Sequence, residues 1–162
     1  MPGVQDDLDA DLTLRAATTD DADEVAELLA ASRRVHLPFL PTLHDADEDR
    51  AWVRGTLLPE NDVVVAELGG RPVGVLATAA SDGCSWLEQL YLAPGFTGRG
   101  IGTRLLEHAL ARLAGPVRLW TFAENAGARR FYERHGFRAI RFGDGRDNEE
   151  GCPDVLYELG PR

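Results

Sequence analysis

The chain contains no lysine, so its 17 basic residues are all arginine. A Walker-type phosphate loop needs a lysine followed by Ser or Thr, and that route to nucleotide binding is closed. Cysteine is nearly as scarce. Cys84 and Cys152 stand apart, with neither CxxC spacing nor a histidine cluster beside them, which leaves two free thiols and argues against a disulfide framework or a metal site. No apolar run approaches the length that spans a bilayer, and Met1–Asp11 is acidic, without the basic start and apolar core of a secretory signal. A cytoplasmic protein is the expectation. Basic charge is in deficit: 27 acids against 17 bases give a net charge of -10. Nucleic acid and anionic membrane are both bound through basic patches, so neither is expected as a partner. A neutral or cationic small molecule fits the balance, as does simple solubility.

At 162 residues the chain fits one domain with a core large enough to need no staples. Residues 1–11 read as a mobile acidic tail and 12–162 as a single domain. Leu12 to Ala16 alternates as a short strand, and Thr18 to Asp21 supplies N-cap candidates for a helix to about Val35, acidic at its start and basic at its end. His36 to His44 carries Pro38 and Pro41 and reads as an irregular connector, with enough apolar residues (Leu37, Phe39, Leu40, Leu43) to cover something. A second helix, about Asp45 to Leu58, is expected to turn Trp52 and Leu57 inward. Strands at Asp62 to Leu68, Pro72 to Ala79 and Ser85 to Leu92, with turns at Gly69-Gly70 and Ser81 to Gly83, form an antiparallel meander. A whole helix then separates Ser85 to Leu92 from Val117 to Phe122, so those two strands should be parallel. A helix opened by Asn125 and capped by Gly136, then strands at Phe137 to Phe142 and Val155 to Leu159, complete an α+β fold: a mixed sheet flanked by helices. Between the last two strands, Gly143 to Pro153 is a long acidic loop whose Asp144, Asp147, Glu149 and Glu150 are placed to meet a cationic group.

The stretch that orders all this is Leu90 to Leu106. An apolar strand runs into Gly98, Gly100 and Gly102 and directly into a helix whose Ile101, Leu105, Leu106, Ala109, Leu110 and Leu113 form one apolar face. Side-chain-free turn residues let backbone N–H groups converge at a helix start, which favours an anion such as a phosphate. A dinucleotide fingerprint would need a further glycine three positions after Gly100. Thr103 stands there, and the preceding strands form hairpins rather than a βαβ unit.

Thr97-Gly98-Arg99-Gly100-Ile101-Gly102 resembles the cradle of the GNAT superfamily of acyl-CoA-dependent N-acetyltransferases, whose pattern is Arg or Gln, two residues, Gly, one residue, then Gly or Ala. Thr97 departs from that pattern, which shifts the expected pyrophosphate contact onto backbone donors. A second block, Asn125 to Phe137, is similar to the family's segment of Asn, then Phe-Tyr-Glu, then Gly-Phe. The resemblance implies a GNAT-like sheet with an antiparallel meander and a parallel pair at two splayed strands. It implies acetyl-CoA as co-substrate, no metal, and a small amine or amino-acid-like acceptor, with a homodimer as a family-level expectation. The contacts it implies to acetyl-CoA are Leu90, Tyr91, Leu92, Thr97, Gly98, Arg99, Gly100, Ile101, Gly102, Thr103, Asn125, Phe131 and Tyr132. By the same resemblance Tyr132 is the general acid, and the N–H of Leu92 stabilises an oxyanion. Glu88 is the candidate base, directly or through water, placed on one strand face with Trp86 and Leu90. His36, Phe39, Glu88, Asn148 and Glu149 are the acceptor-side candidates. A protein N-terminus or lysine as acceptor, and a catalytically silent acyl-CoA-binding module, are the alternatives.

Overall fold

A computed structural model describes residues 11–161; the expected acidic tail falls almost entirely outside them. Seven strands, β1 (Thr13–Ala16), β2 (Asp62–Leu68), β3 (Arg71–Ser81), β4 (Cys84–Leu92), β5 (Val117–Phe122), β6 (Arg138–Gly143) and β7 (Asp154–Leu159), form one sheet in the order β1-β2-β3-β4-β5-β7-β6. The meander closes through two-residue turns. Gly69 and Gly70 (φ 58° and 77°) join Leu68 to Arg71, and Asp82 and Gly83 (φ 54° and 74°) join Ser81 to Cys84. Both turns need positive φ at two successive residues, which is the geometry that matches strand twist. β4 and β5 are parallel, as a helical crossover requires, and β7 inserts between β5 and β6.

Helices cover the two faces unequally. α1 (Ala22–His36), extended N-terminally by a tight turn at Thr19–Asp21, packs Val25, Leu28 and Leu29 against Val63, Val65, Val75 and Ala77 of β2 and β3. α2 (Ala46–Trp52) starts on a reciprocal cap, in which Asp45 Oδ1 accepts from the Glu48 N–H at 2.8 Å and Glu48 accepts from the Asp45 N–H at 3.3 Å. It continues through a wide π-type turn, Val53–Leu57. The inward pair is Val53 and Leu57, each 1% exposed, whereas Trp52, expected inside, is 42% exposed. Residues five apart lie about 140° apart around an α-helix, so Leu57 shares its face with Val53 and not with Trp52.

On the opposite face α3 (Ile101–Leu110) and α4 (Ala126–Arg134) bury Ile101, Leu105, Leu106 and Tyr132 against Leu87, Val117, Leu119, Val155 and Tyr157. Gly74 of β3 lets α3 seat closely: a Cβ there would lie 3.0 Å from both Leu105 and Leu92. α4 is fixed by a partly buried relay in which Arg129 donates to Tyr157 Oη at 3.0 Å and Tyr157 donates to Glu133 at 2.8 Å.

The short edge strand β1 is held by charge. Arg15 makes a fork to Asp21 at 2.8 and 2.9 Å and also pairs with Glu67 of β2, while Asp21 accepts the Thr18 N–H at 2.7 Å. The Arg15 hydrogen bonds hold the Asp21 carboxyl at about 2, below its ordinary value. A depressed carboxylate pKa contributes stability that is present above the unfolded value and is lost as pH falls toward the folded one. Asp21→Asn is therefore expected to lose about 1–2 kcal/mol at pH 7, discounted for the partial exposure of Arg15. Urea titrations should show the gap to the wild type closing between about pH 4 and pH 2.

Candidate active site at the splayed strands

β4 and β5 pair only at Ser85 with Val117 and Trp86 with Arg118. Beyond that they separate, because β5 stays in register with β7 over six residue pairs while β4 follows β3. The β3–β4 register also slips: Ala77 faces Gln89 and Thr78 faces Leu87, which leaves Glu88 as the extra residue of a bulge. The bulge corrects the simple alternation expected from sequence. Leu90 joins the core cluster of Leu87, so Leu90 does not share the face carrying Trp86.

The opening between the strands is a cleft of about 60 Å³, lined by Glu88, Leu90, Tyr91, Asn125 and Tyr132 together with Trp120, Thr121 and Phe122 of β5. Tyr132 is only 6% exposed, and its ring is clamped by Phe131, Phe137 and Tyr157 at centroid distances of 5.2, 5.6 and 6.3 Å. Among the described residues no hydrogen-bond partner meets its hydroxyl, which borders the cleft. Burial, reinforced by nearby Tyr91, raises its pKa, so the phenol stays protonated. Glu88 is solvent-accessible but surrounded by enough protein that loss of water raises its carboxyl pKa. The cleft thus brings together a proton donor and a carboxylate that binds protons more readily than usual.

A third element faces the same opening. Gly98 and Gly100 have φ of 73° and 82°, and Gly100 is the left-handed N-cap of α3. A Cβ at Gly98 would enter open space, while one at Gly102 would touch the Phe131 ring at 3.6 Å. The first-turn N–H groups of Ile101, Gly102 and Thr103 have no intrahelical acceptor, so they form an open set of donors at the positive end of the helix dipole. Thr97 is exposed, and the Arg99 guanidinium lies 5.3 Å from the Phe96 ring centroid. Asn125 caps α4, its Oδ1 accepting from the Ala128 N–H at 3.1 Å, which leaves its amide NH₂ toward the cleft. In β4, Ala93 donates to Val73 of β3 at 2.8 Å, so strand alternation turns the Leu92 N–H to the edge that β5 has left.

The acceptor-side candidates separate into two groups. Phe39 stands edge-on to Phe122 at 6.1 Å, which shows what the apolar connector covers. Asn148 lies in a larger groove of about 780 Å³ that shares Trp120, Thr121 and Phe122 with the cleft. The Asn148 side chain shapes its own loop, donating to Cys152 O at 2.8 Å and Asp154 at 3.1 Å and accepting from the Cys152 N–H at 3.2 Å. His36 pairs with Ser32 at 3.1 Å and lines neither cavity. The acidic loop is latched rather than poised for a cation. Glu149 meets His44 at 3.1 Å, Glu150 meets Arg33 at 2.6 Å and Asp144 meets Arg146 at 3.0 Å, while Asp147 makes no ion pair among the described residues. His44, held between Glu48 and Glu149, has its pKa raised by those carboxylates.

Sequence reasoning missed Trp120 and Phe122, although the alternation of Val117 and Leu119 with Arg118, Trp120 and Phe122 marks the side that leaves the core. Among the described residues no helix is long and apolar enough to cross a membrane, and no group of three His, Cys, Asp or Glu side chains could hold a metal ion.

Residues 23–137 match the family model of the acetyltransferase (GNAT) family. An uncharacterized N-acetyltransferase of Methanocaldococcus jannaschii is 32% identical over 142 residues, covering 77% of this chain and 60% of its own length; the chain thus spans about three fifths of that relative. Among solved structures, an acetyltransferase from Thermus thermophilus superposes with a TM-score of 0.75 at 21% identity over 92% of this chain and 96% of its own. The PaiA N-acetyltransferase of Thermoplasma acidophilum, solved in complex with coenzyme A, superposes with a TM-score of 0.71 at 18% identity over 92% of this chain and 98% of its own.

The isolation of the Tyr132 hydroxyl has a measurable consequence. A buried tyrosine whose hydroxyl is hydrogen-bonded loses about 1 kcal/mol as phenylalanine. Tyr132→Phe keeps the ring clamp and breaks no protein hydrogen bond, so urea denaturation should place it within about 0.5 kcal/mol of the wild type.

Proposed function

The chain belongs to the GNAT acetyltransferase family, and from that premise we propose that it transfers the acetyl group of acetyl-CoA to the primary amine of a small or amino-acid-like acceptor, by direct attack in a ternary complex. The observation that carries the reading is the Tyr132 hydroxyl, which has no protein hydrogen-bond partner among the described residues and borders the same narrow cleft as Glu88.

The residues present fit acetyl-CoA as co-substrate. The donors of Ile101 to Thr103, the side-chain-free approach at Gly98 and Gly100 and the exposed Arg99 suit its phosphates. Leu90 and Leu92 turn unpaired strand N–H groups toward the pantetheine arm, and Tyr91, Asn125 and Phe131 stand beside its path. With Thr97 in place of a longer side chain, the phosphates depend on backbone donors.

The acceptor must attack as a neutral amine. Glu88, or a water that it holds, takes the proton, and its raised pKa makes it a better proton acceptor than an ordinary carboxylate. As the new C–N bond forms and the C–S bond breaks, the Leu92 N–H stabilises the charge on the carbonyl oxygen, and Tyr132 gives its proton to the departing sulfur. The raised phenol pKa means that the group arrives protonated. Phe39 closes the acceptor side by packing on Phe122.

Tyr132→Phe should still bind acetyl-CoA while single-turnover acetyl transfer slows by about 10²–10⁴-fold, the usual scale of proton-transfer assistance. Unchanged single-turnover chemistry would make water the donor. In calorimetric titrations with CoA, Gly100→Val should bind at least tenfold more weakly, because a β-branched residue does not tolerate φ of 82° and blocks the cradle. Thr97→Ala should bind as the wild type does, and the reverse order would remove the cradle from the scheme. Absence of thiol release with every amine of a broad panel, alongside tight CoA binding, would identify a silent acyl-CoA-binding module instead.

A further inference from the structure

The groove beside the cleft has a chemistry that the reaction itself does not require. Its floor is the β5–β7–β6 part of the sheet face on which α1 packs over β2 and β3. Trp120 of β5, Leu156 of β7 and Arg141 of β6 lie in one cross-strand row on that face, since Trp120 and Arg141 both pair with Leu156. Trp120 is 44% exposed and Leu156 is 7% exposed, so the row presents an aromatic surface, an apolar bottom and then a cation. In the next row Phe122 and Asp154 lead to Gly143, where a Cβ would strike Asp154 Oδ1 and come within 3.8 Å of the Trp120 ring. Glycine at that position keeps the space over Trp120 open.

Charge bookkeeping in the groove leaves two groups over. Arg146 pairs with Asp144, and Asp154 accepts from Asn148. Arg141 and Asp147, both exposed, have no ion pair among the described residues. The groove and the cleft meet at Trp120, Thr121 and Phe122, so a molecule lying in the groove can reach Glu88 with one end.

Resting on the acetyl-transfer reading, we infer that the acceptor is a zwitterionic, peptide-like amine two to three residues long, with an apolar side chain stacked on Trp120 and a distal carboxylate held by Arg141. Its length follows from the sheet. β6 lies three strand spacings, about 14 Å, from β4, which carries Glu88. An extended chain covers about 3.4 Å per residue and the Glu88 and Arg141 side chains bridge the remainder, so a dipeptide or tripeptide places its carboxylate within reach of the arginine fork and a free amino acid does not. The groove volume of about 780 Å³ falls within the range of about 300–1,000 Å³ that takes a ligand of this size. Unpaired charges of both signs match a zwitterion. A planar guanidinium reads a carboxylate through two parallel hydrogen bonds, which makes the contact selective as well as attractive.

The test uses phenylalanine, alanyl-phenylalanine and alanyl-alanyl-phenylalanine, each as free acid and as C-terminal amide. For the dipeptide and tripeptide the wild type should prefer the acid at least tenfold in kcat/KM, mostly through KM. Phenylalanine should give no such preference. Arg141→Gln should abolish the preference while acetyl-CoA binds as before, and Trp120→Ala should raise KM for acid and amide alike. Equal use of acid and amide at every length, as expected of an enzyme that reads only a protein N-terminus, overturns the inference, and so does a preference that survives in Arg141→Gln. Tryptophan fluorescence with CoA present separates this question from catalysis. If the free acids bind more tightly than the amides in the wild type and not in Arg141→Gln, the groove assignment stands even without turnover, and the transfer reading alone fails. If neither form binds, the groove assignment fails.

Discussion

The site depends on one interaction that stops early: the parallel pairing of β4 with β5, which ends after Trp86 and Arg118. A sheet that continued here would hydrogen-bond the edges of both strands and leave no opening. β5 is instead committed to β7 over its whole length, and β4 to β3, with the slip at Glu88 bending β4 away. The result is a pair of half-buried strand edges in the middle of a sheet, where N–H groups normally find ladder partners. A ligand backbone that bonds to those edges takes the place of the missing ladder.

The two walls of the opening are braced from different sides. α4 brings Tyr132 and Asn125 from one face of the sheet, and its position is fixed by the Arg129–Tyr157–Glu133 relay. From the other face, the β6–β7 loop is tied to the end of α1 by Arg33–Glu150 and to the start of α2 by His44–Glu149. Glu150 is the more consequential anchor, since its side chain is only 10% exposed whereas Glu149 is 58% exposed. Exposed ion pairs contribute little to stability, but several acting on one loop restrict where it can move. The acids that look like a cation trap in the sequence are, Asp147 excepted, engaged in ion pairs among the described residues.

Much of this was legible in the sequence because local chemistry and global fold agree. Gly98, Gly100 and Gly102 ahead of an amphipathic helix, and Asn125 ahead of Phe131 and Tyr132, fix the cradle and the cleft helix whatever surrounds them. Strand ranges followed from β-rich runs bounded by Gly-Gly and Asp-Gly turns. What failed to show was set by pairing between distant segments. A bulge at Glu88 is a property of two strands in register, so no periodicity within β4 reveals that Leu90 and Trp86 lie on different faces. Trp52 looked like a core residue by type, yet the helix period places Val53 there instead. The partners of Glu149 and Glu150 lie more than 100 residues away in the chain, beyond any local signal.

The Tyr132 hydroxyl shows why the cleft is shaped as it is. A phenylalanine would pack against Phe131, Phe137 and Tyr157 equally well, so the hydroxyl adds nothing to that packing. The adjoining space of about 60 Å³ exceeds the roughly 10–15 Å³ that one water needs, so solvent can satisfy the hydroxyl. A ligand entering from the splay displaces that solvent and becomes the sole partner of the hydroxyl. Three rings hold the phenol in place, and its elevated pKa keeps it protonated. A hydroxyl arranged this way is poorly suited to stabilising the fold and is left facing whatever enters the cleft.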